Sequence, residues 1–218
     1  MRKLLLFLCM GTVILFASNV FAVPVSWTDW TAATVGQPGS ATGTIGGGIT
    51  VDYSGDVNFF QLGTGTNYWT EGSPAPYTAS ALVDNAPTAS EMIALSKTGM
   101  NTLFFSQPVE NPLMAIVSMG QPNLGVTYDF NTPFTVLSEG LGYWGDGTYT
   151  TSAGDILTGN EFHGVLQFTG TISSISWSTF PDEYWHGITV GLAQVPEPAT
   201  LLLLGLGLIG IGGFRRKA

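Results

Sequence analysis

Apolar and polar residues alternate with a period of two along most of the chain, the pattern of β-strands with one buried face. No apolar run of helical period in the central region is long enough to predict a helix. The segments that alternate are 49–53, 101–106, 113–119, 126–130, 134–137, 165–168, 172–177 and 187–192. Turns rich in Gly, Pro, Asn and Asp separate them. This spacing predicts an all-β fold, an antiparallel β-sandwich of jelly-roll type.

Three segments of the same region lack this alternation. The segment 90–96 is interpreted as a brief helical turn. The segments 36–48 and 63–76 contain few bulky apolar residues, so we expect long surface loops there.

The first residues have the layout of an export signal. Arg2 and Lys3 precede an apolar run at 4–16, and Ala22 follows Val20 and Phe21. This predicts a signal peptide at 1–22, export through the translocon, and cleavage after Ala22 by signal peptidase. The single cysteine, Cys9, lies within the signal peptide. The remaining domain, 23–194, therefore needs no disulfide.

The last 24 residues form a second unit, 195–218. An apolar run at 199–214 would span about 24 Å as a helix, slightly less than the ~30 Å hydrocarbon core of a bilayer. Basic side chains that reach the interface can compensate for the difference, so we predict a single transmembrane helix that serves as a temporary anchor. The residues flanking it are Val195, Pro196, Glu197 and Pro198 before the run and Arg215, Arg216 and Lys217 after it.

Charge is distributed unevenly between the ends and the centre. Five of the six basic residues lie at the two ends, whereas 23–194 holds 14 acidic residues and only Lys97. The positive-inside rule predicts that both ends stay in the cytoplasm and the centre is translocated. So acidic a domain is not expected to bind nucleic acid.

The C-terminal unit resembles the PEP-CTERM sorting signal of Gram-negative bacteria that make exopolysaccharide. The resemblance implies an inner-membrane-anchored precursor, processing near the Pro196-Glu197-Pro198 element by an exosortase, which is an integral-membrane protease, and then release or attachment at the cell surface. Blocks of the central domain are also similar to those of one group of PEP-CTERM proteins with no established activity. These blocks are 27–31, 49–55, 111–118 and 183–191.

Residues suited to catalysis or metal binding follow no known motif. His163 and His186 have acidic neighbours, Glu161 and the pair Asp182 and Glu183, but their spacing matches no metal-ligand pattern. We therefore predict no catalytic residue, no metal site and no cofactor. Calcium stays an open alternative because carboxylates in loops suit it. The pairs considered are Asp52 with Asp56, Asp146 with Asp155, and Asp182 with Glu183.

Adjacent aromatic residues supply the best binding chemistry. An exposed ring can stack on the apolar face of a sugar while neighbouring polar groups bind its hydroxyls. The same pairs can equally plug the ends of a sandwich, with one ring inside and one at the rim. The candidate glycan-binding residues are Tyr68, Trp69, Tyr143, Trp144, Tyr184 and Trp185.

These patterns together predict a non-enzymatic, exported protein of the cell surface or biofilm matrix, with exopolysaccharide as a partner to be tested. One alternative is a secreted glycan-active enzyme that uses two carboxylates. A minor alternative is adsorption to ice or another surface, for which Thr148, Thr150 and Thr151 are too few.

Overall fold

The protein is described by a computed structural model over residues 24–194, whose regular elements are almost all antiparallel β-strands. A 3-10 turn at Gly46–Gly48 links two of these strands. The strands are β1 Val25–Trp27, β2 Asp29–Thr34, β3 Gly36–Ile45, β4 Ile49–Val57, β5 Phe59–Leu62, β6 Glu91–Leu95, β7 Gly99–Glu110, β8 Leu113–Met119, β9 Val126–Phe130, β10 Phe134–Glu139, β11 Leu141–Gly142, β12 Gly145–Asp146, β13 Thr148–Ser152, β14 Ile156–Asn160, β15 Phe162–Phe168, β16 Thr171–Phe180 and β17 His186–Ala193.

Two large sheets pack face to face. Sheet A has the order β10-β15-β8-β17-β6-β5, and β1 pairs with the far end of β17. Sheet B has the order β13-β14-β9-β16-β7-β4-β3-β2, and β11 pairs with β12 in a separate hairpin. Every pairing between these strands is antiparallel. The predicted all-β, antiparallel fold is confirmed.

The main core lies between the sheets and is rich in aromatic side chains. Inward-facing residues alternate with outward-facing ones along β16 and β4, as the period of two requires. Trp30, Tyr53, Tyr128 and Trp177 are all buried there. Fully burying side chains of this size removes 150–250 Å² each from water, so they dominate the hydrophobic stabilisation.

A second core covers the outer face of sheet A. Strands β6 and β8 are buried at every position, because the irregular segment 63–90 packs Trp69, Tyr77 and Val83 over them. The prediction of a surface loop at 63–76 is therefore wrong for Trp69, which is only 2% exposed. Sheet A is thus covered on both faces.

Two further local predictions are wrong. The segment 90–96 contains strand β6 rather than a helical turn, since a strand buried on both faces has no alternation that distinguishes it from a helix. The segment 36–48 contains the ten-residue strand β3. Its inward side needs small residues: a Cβ added at Gly43 would lie 2.6 Å from the Asp29 carbonyl oxygen of β2.

The outer face of sheet B carries mostly hydroxyl side chains. One row of paired residues crosses four strands as Ser40, Ser54, Thr102 and Ser176. The next row contains Asp52 and the exposed ring of Phe104. The two large sheets therefore differ in their outer surfaces, one apolar and covered, the other polar and open.

The two ends of the described chain lie side by side. Val25 pairs with Ala193, and the amide of Gln194 donates to the carbonyl of Pro24 at 2.9 Å. None of the elements between residues 24 and 194 is a helix long and apolar enough to cross a bilayer. The predicted signal peptide, 1–22, and the predicted transmembrane helix, 199–214, lie outside the described residues.

Candidate functional site

Sheet topology gathers three chain segments at one end of sheet A. Strand β8 ends at Met119, while its neighbours β15 and β17 begin at Phe162 and His186. Because neighbouring strands are antiparallel, the end of β8 lies beside the starts of β15 and β17. Residues just outside these strand ends, Glu161 and Trp185, therefore meet although they are far apart in sequence.

The hairpin of β11 and β12 adds two aromatic rings to this end. Gly142 pairs with Gly145, which leaves Tyr143 and Trp144 as its two-residue turn. The hairpin packs directly on His163: a Cβ added at Gly142 would lie 2.4 Å from the imidazole. Only glycine allows this approach, so this position fixes where the turn presents its rings.

Four of the predicted aromatic residues form one cluster, which we call the aromatic cluster: Tyr68, Tyr143, Trp144 and Trp185. Tyr68 stacks on Trp144 with centroids 5.2 Å apart and planes at 18°. The Trp144 and Trp185 rings lie 4.9 Å apart at 81°, as two nearly perpendicular walls. Tyr143 contacts both Tyr68 and Trp144 edge-on. Trp144 is nonetheless 44% exposed, so it stays available to a ligand.

Two adjacent pockets open beside the aromatic cluster. The first has a volume of about 260 Å³, and the second about 450 Å³. Trp144 and Glu161 border both, so the two form a continuous surface that we call the tandem pocket. The first pocket is completed by Ser118, Gln121, Tyr184 and Trp185, and the second by Pro122, Asn123, Asp146, Gly147, Thr148 and Asn160.

Glu161 is held in place by Ser118, whose hydroxyl donates to its Oε1. Both residues have left-handed backbones, with φ of 60° at Glu161 and 61° at Ser118, which costs about 1 kcal/mol or more for residues other than glycine. The register between β8 and β15 shifts at the same place, between Phe162 and Gly164. Such a bulge redirects side chains, here toward the tandem pocket.

Burial raises the pKa of the Glu161 carboxyl, and the nearby Glu183 carboxylate raises it further, while the hydrogen bond from Ser118 acts in the opposite direction. Partial removal from water disfavours the charged form of a carboxyl, and so does a like charge nearby. Glu161 therefore binds a proton more readily than an ordinary surface glutamate.

A buried chain of polar groups lies near Glu161. Glu183 Oε1 accepts a hydrogen bond from the Gly120 amide at 3.1 Å and lies 2.5 Å from His186 Nδ1. The other ring nitrogen of His186 bonds to the hydroxyl of Tyr128. Glu183 Oε2 has no hydrogen-bond partner among residues 24–194. His186 thus uses both nitrogens within the protein.

His163 is a buried neutral imidazole. Its Nδ1 accepts from the Ser118 amide at 3.3 Å, and burial lowers its pKa from 6.5 to about 4. Its Nε2 has no partner within the described part of the chain. The ring therefore packs against the β11–β12 hairpin and hydrogen-bonds to strand β8.

The remaining two predicted binding residues differ in position. Tyr184 is 82% exposed and lines the first pocket. Trp69 lies in the second core, where its Nε1 donates to the Glu91 carbonyl at 3.1 Å and its ring contacts Tyr77 edge-on. We therefore assign Trp69 to packing.

Sequence reasoning did not select the polar residues of the tandem pocket for glycan binding. In the sequence Glu161 stands out only as an acidic neighbour of His163. Ser118, Gln121 and Asn160 carried no local signal, because the turns and strand ends that hold them meet only in the folded sheet.

In two of the acidic pairs considered for calcium, Asp52 with Asp56 and Asp182 with Glu183, the carboxylates bond to protein groups. Asp52 accepts from the Thr42 hydroxyl on the open face of sheet B, whereas the buried Asp56 accepts from two backbone amides. Asp182 forms an ion pair with Lys97 at 3.1 Å. Across residues 24–194, no group of three or more His, Cys, Asp or Glu residues is arranged to hold a metal ion.

Comparison with known proteins identifies a motif in the C-terminal unit. The model of the PEP-CTERM protein-sorting motif matches residues 194–217. This chain carries a PEP-CTERM sorting motif. The suspected resemblance is confirmed, and a PEP-CTERM motif marks an exported, membrane-anchored protein that an exosortase then processes. No curated protein and no solved structure matches the chain significantly.

Proposed function

We propose that this PEP-CTERM protein is a non-enzymatic component of the cell surface or biofilm matrix, and that its domain binds exopolysaccharide through the tandem pocket. One observation carries the proposal: Trp144, a half-exposed indole braced by Tyr68, borders two adjacent pockets. A sugar polymer crossing both pockets would stack one residue on this ring.

Polar groups around the ring support glycan recognition. The amides of Gln121, Asn123 and Asn160 and the hydroxyl of Thr148 surround the pockets, and such groups both donate to and accept from sugar hydroxyls. The aromatic cluster is continuous with the second core through Tyr68 and Trp185. A site already rigid in the free protein loses little conformational entropy on binding.

The strand order supports assigning the fold to the jelly-roll class. In sheet A, β6, β17, β8 and β15 are successive neighbours, and in sheet B so are β7, β16, β9 and β14. The chain alternates between the sheets through β6–β9 and again through β14–β17. This strand order matches the doubled Greek key of a jelly roll, extended at the edges by the other strands, and supports the proposed assignment.

Binding is tested with purified mature protein and exopolysaccharide from the native host. Trp144→Ala and Trp185→Ala should each weaken retention by about tenfold, which corresponds to roughly 1.4 kcal/mol and is typical of a lost aromatic contact. Phe104→Ala is the matched control, since Phe104 is 52% exposed on the open face of sheet B. Equal retention of the three variants and the wild type would refute the proposal.

A second candidate is hydrolysis of a glycan, favoured by the position of Glu161. Strained backbones cluster at active sites, and the general acid of a glycosidase has a raised pKa, as Glu161 does. In such a reaction water adds across a glycosidic bond and releases a new reducing end. If the wild type releases reducing ends and Glu161→Gln does not, the hydrolysis hypothesis is favoured over binding alone.

Adsorption to ice or another solid surface has less support. The hydroxyl row on sheet B is regular across four strands, which could not be read along the sequence. Asp52, Met100 and Phe104 interrupt the same face with a charge and two large apolar groups. We therefore prefer glycan binding at the tandem pocket.

For sorting, we propose that Glu197 is read by the exosortase after export of 23–194 through the translocon and removal of 1–22 by signal peptidase. Glu197→Ala should leave a membrane-held precursor in the native host, whereas Asp84→Ala, which removes an exposed carboxylate outside the matched residues, should mature normally. Immunoblots of membrane and extracellular fractions distinguish the forms. Normal maturation of the Glu197→Ala protein would contradict the assigned role.

A further inference from the structure

The tandem pocket is anionic as well as aromatic. Glu161 borders both of its halves and Asp146 lines the second, and no Lys, Arg or His is among the residues that line either. Within residues 24–194 the only lysine or arginine is Lys97, which is paired with Asp182. A ligand carrying carboxylate, sulfate or phosphate groups would meet uncompensated like charge here.

Three aromatic side chains line the first pocket. Trp144 and Trp185 lie at 81° to each other, and Tyr184 lines the same cavity. The faces of tryptophan and tyrosine carry negative charge density, which attracts ammonium groups within about 6 Å of the ring centre. Aromatic walls in two directions, together with a carboxylate, resemble the cages that bind ammonium groups in other proteins.

The polar partners suit the same group. The first pocket also contains the hydroxyl of Ser118 and the amide of Gln121. Each offers an oxygen that accepts hydrogen bonds, and an ammonium group has N–H donors and no acceptor. Glu161 supplies a charge-assisted hydrogen bond, about twice as strong as a neutral one.

We propose that the first pocket binds an ammonium group, so that the polymer recognised by this protein is a glycan bearing free amines rather than a neutral or acidic one. The inference rests on the proposed glycan-binding function and specifies its ligand class. The second pocket then holds the adjoining sugars, with Trp144 shared between the two.

The test compares three oligosaccharides of equal length and linkage by isothermal titration with the mature protein: oligomers of glucosamine, of N-acetylglucosamine and of glucose. The glucosamine oligomer should bind at least tenfold more tightly than the other two. Glu161→Gln should remove most of this preference. Asp84→Asn, which removes the same charge from an exposed position outside the pockets, should preserve it.

A second variant covers the case in which Glu161→Gln disturbs the fold. Trp144→Leu keeps an apolar side chain but loses the aromatic face, so it should weaken glucosamine binding more than glucose binding. Equal affinity for all three oligomers would overturn the amine assignment and leave glycan binding intact. Equal loss of preference in Glu161→Gln and Asp84→Asn would also overturn it, by showing attraction to net charge alone. If none of the three oligomers binds, both the amine assignment and the proposed glycan binding are overturned.

Discussion

His163 makes the stability of this domain depend on acidic pH. The side chain is buried against the hairpin and β8, and its pKa falls from 6.5 to about 4 because burial disfavours the charged ring. Between these two values the unfolded chain binds a proton that the folded chain does not. Protons therefore favour unfolding, and stability is lost as the pH falls below about 6.5 until it reaches about 4.

The loss of stability in acid can be calculated from the lowered pKa of His163. Each pKa unit corresponds to 1.36 kcal/mol, so the loss should be about 2 kcal/mol at pH 5 and about 3 kcal/mol below pH 4. For a domain of this length, 2 kcal/mol lowers the melting temperature by roughly 4–8 °C.

Urea unfolding at pH 7 and pH 5 measures the effect in the wild type and in His163→Asn. The amide oxygen of asparagine can still accept from the Ser118 amide, and asparagine does not titrate in this range. The variant should be less stable at both pH values because it leaves a cavity. The wild type should lose about 2 kcal/mol more than the variant on acidification. The raised pKa values of Glu91 and Glu161 act in the opposite direction but occur in both proteins. If the free energies of unfolding of the wild type and His163→Asn change equally between pH 7 and pH 5, His163 is not a buried neutral side chain.

Three further substitutions test the structure elsewhere. Asp56→Ala removes a buried carboxylate that accepts hydrogen bonds from two backbone amides, with N···O distances of 2.5 and 2.7 Å. It should lower the free energy of unfolding in urea by about 3 kcal/mol, whereas Asp84→Ala at an exposed position should lower it by less than about 0.5 kcal/mol. Equal losses would contradict the role assigned to Asp56. Gly142→Ala should displace the aromatic hairpin and weaken glycan retention by about tenfold. In the control Gly48→Ala, the left-handed backbone at φ 77° should cost about 1 kcal/mol of stability, but the added Cβ meets nothing within 4 Å, so glycan retention should be normal. Unchanged retention in both variants would argue against the tight approach of Gly142 to His163. Tyr53→Phe should cost about 1 kcal/mol, because the single proton of its buried hydroxyl is donated to one of two acceptors within reach, the Asp56 carbonyl at 2.8 Å and Asn101 Oδ1 at 2.7 Å. An unchanged melting temperature would count against this hydrogen bond.

Strand prediction succeeded for β8 and β9, whose bounds agree with the predicted segments 113–119 and 126–130. Strand β9 alternates between buried and more exposed positions, whereas β8 is buried at every position and is marked by an uninterrupted apolar run that ends near a turn. Prediction failed for β6, which is also buried at every position, and for β3, whose inner side has Gly39, Ala41 and Gly43 before its one large residue, Ile45. Both depend on what packs against them, which local sequence does not contain.

The candidate site was only half visible in the sequence. Aromatic pairs beside turn residues identified Trp144, Tyr184 and Trp185, because large rings in such places need either a partner or a ligand. Glu161 and Ser118 owe their positions to left-handed backbones and a register shift between two strands. Neither residue type favours that conformation, so their placement follows from the sheet and is not encoded locally.

Strand β17 begins at the aromatic cluster and ends where the polypeptide continues into the sorting motif. It has eight residues, which corresponds to about 26 Å of extended chain. A domain tethered through Gln194 would thus carry its ligand-contacting end about one strand length away from its attachment point. In such a tethered domain the aromatic cluster would face away from the cell envelope and toward the surrounding medium.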